Sequence, residues 1–268
     1  SKLGEDSSKP YEYSWDTNKI KDGTYVITVR ATDGAGNKNS KNIKVVVKNP
    51  KVETWQKTFG EKYEDGANSI HQTTDGGYIV AGWTSSFGAG GEDVYILKLN
   101  AKGESEWQKT FGGKGSDGAI SIQQTTDGGY VVAGWTSSFG SAGYDVYILK
   151  LSSKGEVEWQ KTFSWERDNE AESIQQTADG GYIIAAVTGD FERREYDAYV
   201  LKLNSKGQLE WQKTFGGNND DVAYSIQQTK DGGYIVAGWT KSFGSGGQDA
   251  YILKLNAKGE SEWQKTFG

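Results

Sequence analysis

Residues 119–138 read AISIQQTTDGGYVVAGWTSS. Two runs rich in Ile, Val, Tyr, Thr and Trp flank TTDGG, where Gly supplies the positive φ of a tight hairpin. Two further runs follow, YDVYILKL and EVEWQKTF, joined by a second tight turn at SSKG. The unit therefore predicts four short antiparallel strands and no helix.

The unit recurs without insertion or deletion. Trp55, Trp107, Trp159, Trp211 and Trp263 stand 52 apart, as do Asp75, Asp127, Asp179 and Asp231 of the DGGY turns. In the second run Tyr78, Val80 and Gly82 alternate with Ile79, Ala81 and Trp83. Both faces are apolar or small, so each sheet is expected to lie between two others, whereas a two-layer sandwich would leave one face polar. Four strands per repeat of this length, buried on both faces, predict the blades of an all-β propeller. A solenoid is the competing architecture.

The unit WQKTFGG…SIQQTTDGGYIVAGWTSSFG…DVYILKLNAKGE resembles the long-repeat propeller proteins of bacterial and archaeal cell surfaces, over residues 55–268. That resemblance implies an extracellular or cell-surface location and no single activity. The preceding PYEYSWDTNKIKDGTYVITVRATDGAGNKNSKNIKVVVKN resembles the C-terminal part of a bacterial immunoglobulin-like domain. Its first strands are missing, and a half-sandwich of residues 1–50 cannot shield a core alone.

Five WQKTF copies for four complete units leave the first copy to be placed. One reading gives five blades: the immunoglobulin-like remnant joins residues 51–60 as a degenerate first blade, with Trp55 on its fourth strand. The other gives a four-bladed ring in 51–268 with a truncated separate segment. A third has two chains combining their blades.

Composition narrows function. Apolar residues make up 35% of the chain, but ten Trp and fifteen Tyr allow a substantial core. A net charge of -6 disfavours a nucleic-acid partner, and no run of about 18 apolar residues predicts membrane insertion. Cys is absent, which removes thiol catalysis, Cys-ligated zinc and disulfides. Ser1 and the lack of Met suggest a mature or excised piece of a longer chain.

The DGG and KG turns form one tight rim, so candidate sites fall on the other, built of second-to-third-strand and between-blade loops. The third unit departs there twice: FSWERDNEA carries Trp165, Glu166, Arg167 and Asp168, and VTGDFERREYD carries Phe191, Arg193, Arg194 and Glu195. Aromatic and Arg together form recognition surfaces, and drift with salt bridges is the plain alternative. Phe87, Phe139 and Phe243 are expected to be exposed nearby, whereas Trp83, Trp135 and Trp239 are expected to pack between blades. Asp93, Asp145, Asp197 and Asp249, with Asp65, Asp117 and Asp221, read as turn acceptors more than cation ligands; metal binding stays open. His71, replaced by Gln123, Gln175 and Gln227 in the other units, reads as a hydrogen-bonding position. No cofactor is expected. The expectation is a non-catalytic binding or adhesion module whose partner is a glycan or a surface protein. A purely structural spacer and a glycoside-active enzyme are the alternatives.

Overall fold

The computed structural model describes residues 14–49, 54–141, 143–165, 168–190 and 195–268. It divides into two units, Ser1–Thr54 and Trp55–Gly268.

In the first unit β1 (Gly23–Thr32) pairs with β2 (Lys38–Val47) as a two-stranded antiparallel sheet. Asp33 closes the turn: its Oδ1 accepts from the N–H groups of Ala35 and Asn37, at 3.0 and 2.8 Å. Trp15 stands edge-on against Tyr25 at 5.7 Å. Val26, Val29, Ile43 and Val46 remain exposed.

Among the described residues the second unit holds four sheets of four strands each, every neighbour antiparallel. The first is β3 (Asp65–Gln72), β4 (Tyr78–Thr84), β5 (Asp93–Leu99) and β6 (Ser105–Phe111). The second is β7 (Asp117–Gln124), β8 (Tyr130–Thr136), β9 (Asp145–Leu151) and β10 (Val157–Phe163). The third is β11 (Asp168–Gln176), β12 (Tyr182–Asp190), β13 (Glu195–Leu203) and β14 (Leu209–Phe215). The fourth is β15 (Asp221–Gln228), β16 (Tyr234–Thr240), β17 (Asp249–Leu255) and β18 (Ser261–Phe267).

As expected from the alternation, both faces of an inner blade are buried. One face of the first blade (Ile79, Ala81, Val94, Ile96) packs on the second blade's Ala119, Ile122, Tyr130, Val132, Tyr147 and Leu149. The second packs on the third, and the third on the fourth, through the corresponding residues.

The tryptophan of each fourth strand carries the junction outward. Trp107, Trp159 and Trp211 stand edge-on against Tyr130, Tyr182 and Tyr234 of the following blade, ring centroids 6.0, 5.7 and 5.8 Å apart. Each ring also lies on a glycine of that blade's last turn: Gly155, Gly207 or Gly259. Edge-to-face pairs add about 0.5–1.5 kcal/mol to the burial itself.

Trp55 makes the same contacts, with Tyr78 at 5.8 Å and with Gly103. It does so without belonging to a strand: residues 55–60 enter no sheet. The expected fourth strand on the N-terminal segment is thus not formed, and the hexapeptide belongs with the repeats. The reason is the socket. This Trp side chain fits the blade that follows it in sequence, whether or not a strand stands behind it.

A buried cation ties down the tight rim in each blade. Lys202 is 3% exposed and contacts Asp179 of the DGG turn and Glu210 of β14, both at 3.0 Å. Lys98, Lys150 and Lys254 repeat the arrangement. Burial pushes the Asp179 carboxyl up, but the Thr177 hydroxyl, the Gly181 N–H and Lys202 together hold it at about 2. Its contribution is full above an unfolded value near 4 and is lost as pH falls towards 2.

The sockets predict unequal costs for one substitution. Gly232 has φ +83 with open space where a Cβ would go, and Gly207 has φ +71 with the Trp159 ring 2.8 Å from that point. Gly232→Ala is expected to cost about 1 kcal/mol from backbone strain. Gly207→Ala is expected to cost about 3 kcal/mol because the ring must also move. Denaturant unfolding of both variants measures this, and equal losses would mean that the tryptophan packs loosely.

Candidate functional site

The rim opposite the DGG and KG turns is assembled by carboxylates that hold their own loops. Asp117 accepts from the Thr136 and Ser138 hydroxyls and from the Gly113 N–H. Asp65 accepts from Thr84, Ser86 and the Glu61 N–H. Asp93, Asp145 and Asp249 accept from the N–H groups of Ala89, Ser141 and Ser245 at 2.8, 2.7 and 3.1 Å. These aspartates are the turn acceptors expected of them. Asp93 is also pushed up by burial and by the charge of Asp117.

Phe87, Phe139 and Phe243 are half-buried, and their rings pack on Tyr95, Tyr147 and Tyr251 at 5.6, 5.6 and 5.9 Å. They close the ends of the blade cores, where exposure was expected. In the third blade Trp165 faces the corresponding Tyr199 at 6.3 Å, yet stays exposed. Arg167, Phe191, Arg193 and Arg194 lie outside the described residues, as does Glu166. Trp83 and Trp135 lie over glycines of the neighbouring first strand, Gly66 and Gly118. Trp239 donates its Nε1–H to the Tyr224 hydroxyl at 3.1 Å. His71 is exposed beside Gln124 and Thr126 in a shallow groove on the tight rim.

Two features escaped the reading of the sequence. The first is an open cleft lined by Tyr63, Ser85, Gly91, Glu92, Ser116 and Tyr144. It forms where the Gly91 N–H donates to the Gly115 carbonyl at 3.0 Å, bringing the two loops of neighbouring blades together. Tyr63 is 60% exposed. Tyr144 stands edge-on to Trp135 at 5.1 Å and donates its N–H to Asp168 at 2.9 Å. The cleft thus continues towards the third blade. Single tyrosines in Gly-rich loops gave no periodic signal, and only the packing of one loop on the next aligns them.

The second feature is a cluster of acids on β11. Glu170 occupies the place of Gly66 and Gly118, and its cross-strand partner is Val187 where the others have Trp. The two changes are coupled, since removing the indole makes room for the longer side chain. Burial first, then the charges of Glu172 and Asp168, push the Glu170 carboxyl up to about 7. Burial raises Glu172 too. The sequence signal was present in EAESIQQT, where two Glu replace small or neutral residues.

A family model described as "Domain of unknown function (DUF5122) beta-propeller" matches residues 73–104 and 229–260. Both stretches run from the DGG turn through the second and third strands, in the first and fourth blades and in the same phase. The repeats are β-propeller blades. No curated protein matches the chain. A solved structure titled "Crystal structure of the eukaryotic initiation factor" is similar over 76% of this chain and 56% of that one, at 9% identity and a TM-score of 0.37. The chain therefore spans just over half the length of that structure.

Glu170 generates a pH prediction. Its carboxyl ionises near 4.5 when unfolded and near 7 when folded, so the folded state holds the proton more tightly. Stability is greatest below the unfolded value and declines as pH rises through 7. Glu170→Gln is expected to raise the melting temperature at pH 8 by roughly 3 °C and to leave it nearly unchanged at pH 4.5. Scanning calorimetry at both values checks this, and an equal effect at both would refute it.

Proposed function

We propose that this chain is a non-catalytic binding module of a secreted or surface-displayed protein, and that it takes a glycan on the second rim. The observation that carries the reading is the cleft between Tyr63 and Tyr144, with Ser85, Ser116 and Glu92 between them. An exposed ring offers a flat apolar face to the C–H side of a sugar, and hydroxyls and a carboxylate take its hydroxyl groups. Several other rim carboxylates are committed to loop hydrogen bonds, which favours binding over chemistry there. The surface location rests on the resemblance of the repeats.

A second reading is favoured by one observation. Glu170, raised to about 7 beside Glu172, has the protonation of a general acid at neutral pH. Glycoside hydrolysis uses two carboxyl groups of unequal pKa.

Ligand-observed NMR with a panel of neutral mono- and disaccharides separates the two. Binding weakened roughly tenfold in Tyr144→Ala, a loss of about 1.4 kcal/mol, is the expected result. Binding unchanged in Tyr144→Ala and Tyr63→Ala would remove the cleft from consideration. Hydrolysis of an aryl glycoside that disappears in Glu170→Gln would establish the second reading.

A further inference from the structure

The four blades pack in sequence order, and among the described residues no comparable packing joins the fourth to the first. The fourth blade therefore ends in an apolar face made of Ile235, Ala237, Ala250, Ile252, Trp263 and Phe267. In the blade before it, the corresponding Ile183, Ala185, Ala198 and Val200 are 0–1% exposed, because the fourth blade covers them. On the fourth blade Ala250 is exposed, Trp263 is 43% exposed and Phe267 61%.

The first blade presents the other half of the same junction. Ala119 and Ile122 are buried by the preceding blade, while the equivalent Ala67 is exposed and Ile70 is 61% exposed. The rest of this face is already covered: Val80, Tyr95 and Leu97 on β4 and β5 are buried with Phe59 packed against them and Trp55 against Tyr78, so the open part is the inner strand β3. The two open faces are thus the two halves of an interface that the molecule already forms three times.

We propose that a second copy of this chain covers both faces. The fourth blade of each copy docks on the first blade of the other, closing a ring of eight blades, within the usual range for propellers. The contact is head to tail, and a two-fold axis relates its two occurrences. Trp263 and Phe267 of one copy require the socket that Trp55 and Phe59 fill in the other. The occupants have the same six letters, WQKTFG, so the first hexapeptide acts as an internal plug that leaves when the partner's last strand arrives. Its weakness supports this role: it holds the socket by side chains, with no place in a sheet. The polar edge of the junction also repeats. The Thr74, Thr126 and Ala178 N–H groups donate to Gln124, Gln176 and Gln228 of the next blade at 2.9, 2.9 and 2.8 Å. A junction between copies pairs the Lys230 N–H with Gln72 in the same way.

Sedimentation velocity and light scattering on the full chain test the proposal. The wild type is expected at twice the 29.3 kDa of one chain. Ile70→Arg and Ile252→Arg each place a charge on one open face and are each expected to give single chains. Mixed one to one, they retain one undamaged junction and are expected to form a two-chain particle. Trp55→Ala loosens the plug and is expected to tighten association roughly tenfold. A wild type that remains a single chain at about 100 µM, far above the Kd of a stable interface, overturns the proposal. Open-ended polymers overturn the closed ring. If Ile252→Arg dissociates the pair and Ile70→Arg does not, like ends meet and the head-to-tail geometry is wrong. Circular dichroism and melting curves of each variant establish that a loss of association is not a loss of fold.

Discussion

An indole that leaves its own sheet holds the repeats together. The Trp of the fourth strand in each of the first three blades lies against a tyrosine and a left-handed glycine of the blade that follows. One blade has no core of its own in the usual sense. Its interior is the space shared with its neighbours, and a flat sheet apolar on both faces is stable only there. The rest of the structure depends on this arrangement: buried Ile and Val faces, tight turns that bring the socket glycine forward, and a fixed phase between units.

The division of labour between the rims follows. The tight rim is held by a buried lysine between two carboxylates, the same in every blade, which leaves it little freedom to vary. The opposite rim is held by aspartates that satisfy their own loops, so loop residues between those anchors can change without disturbing the blades. Tyr63, Tyr144 and Trp165 are such changes. Glu170 marks a deeper one, because it required the loss of an indole across the strand.

Much of the fold was legible in the letters. A strict 52-residue period, alternation on two apolar faces and Gly-bearing turns specify the strands and their antiparallel pairing. One reading put the first WQKTFG on the fourth strand of a degenerate first blade, but residues 55–60 enter no sheet. Its real partner is a socket on a blade further along the chain. The site was less legible. The Phe series reads as exposed when only its loop position is considered, yet each ring finds a tyrosine on the third strand. Tyr63 and Tyr144 look unremarkable one at a time and acquire meaning only when adjacent loops meet.

The sequence by itself determined the number of repeats, their strands and the chemistry of each face, because these follow from local periodicity and turn geometry. Tertiary structure decided which copies of a repeated residue are covered. Trp211 and Trp263 have the same neighbours in sequence, but one stands against Tyr234 of the next blade and the other is 43% exposed. Burial depends on what stands opposite a side chain, and a repeated sequence writes the same letter whether or not anything stands there.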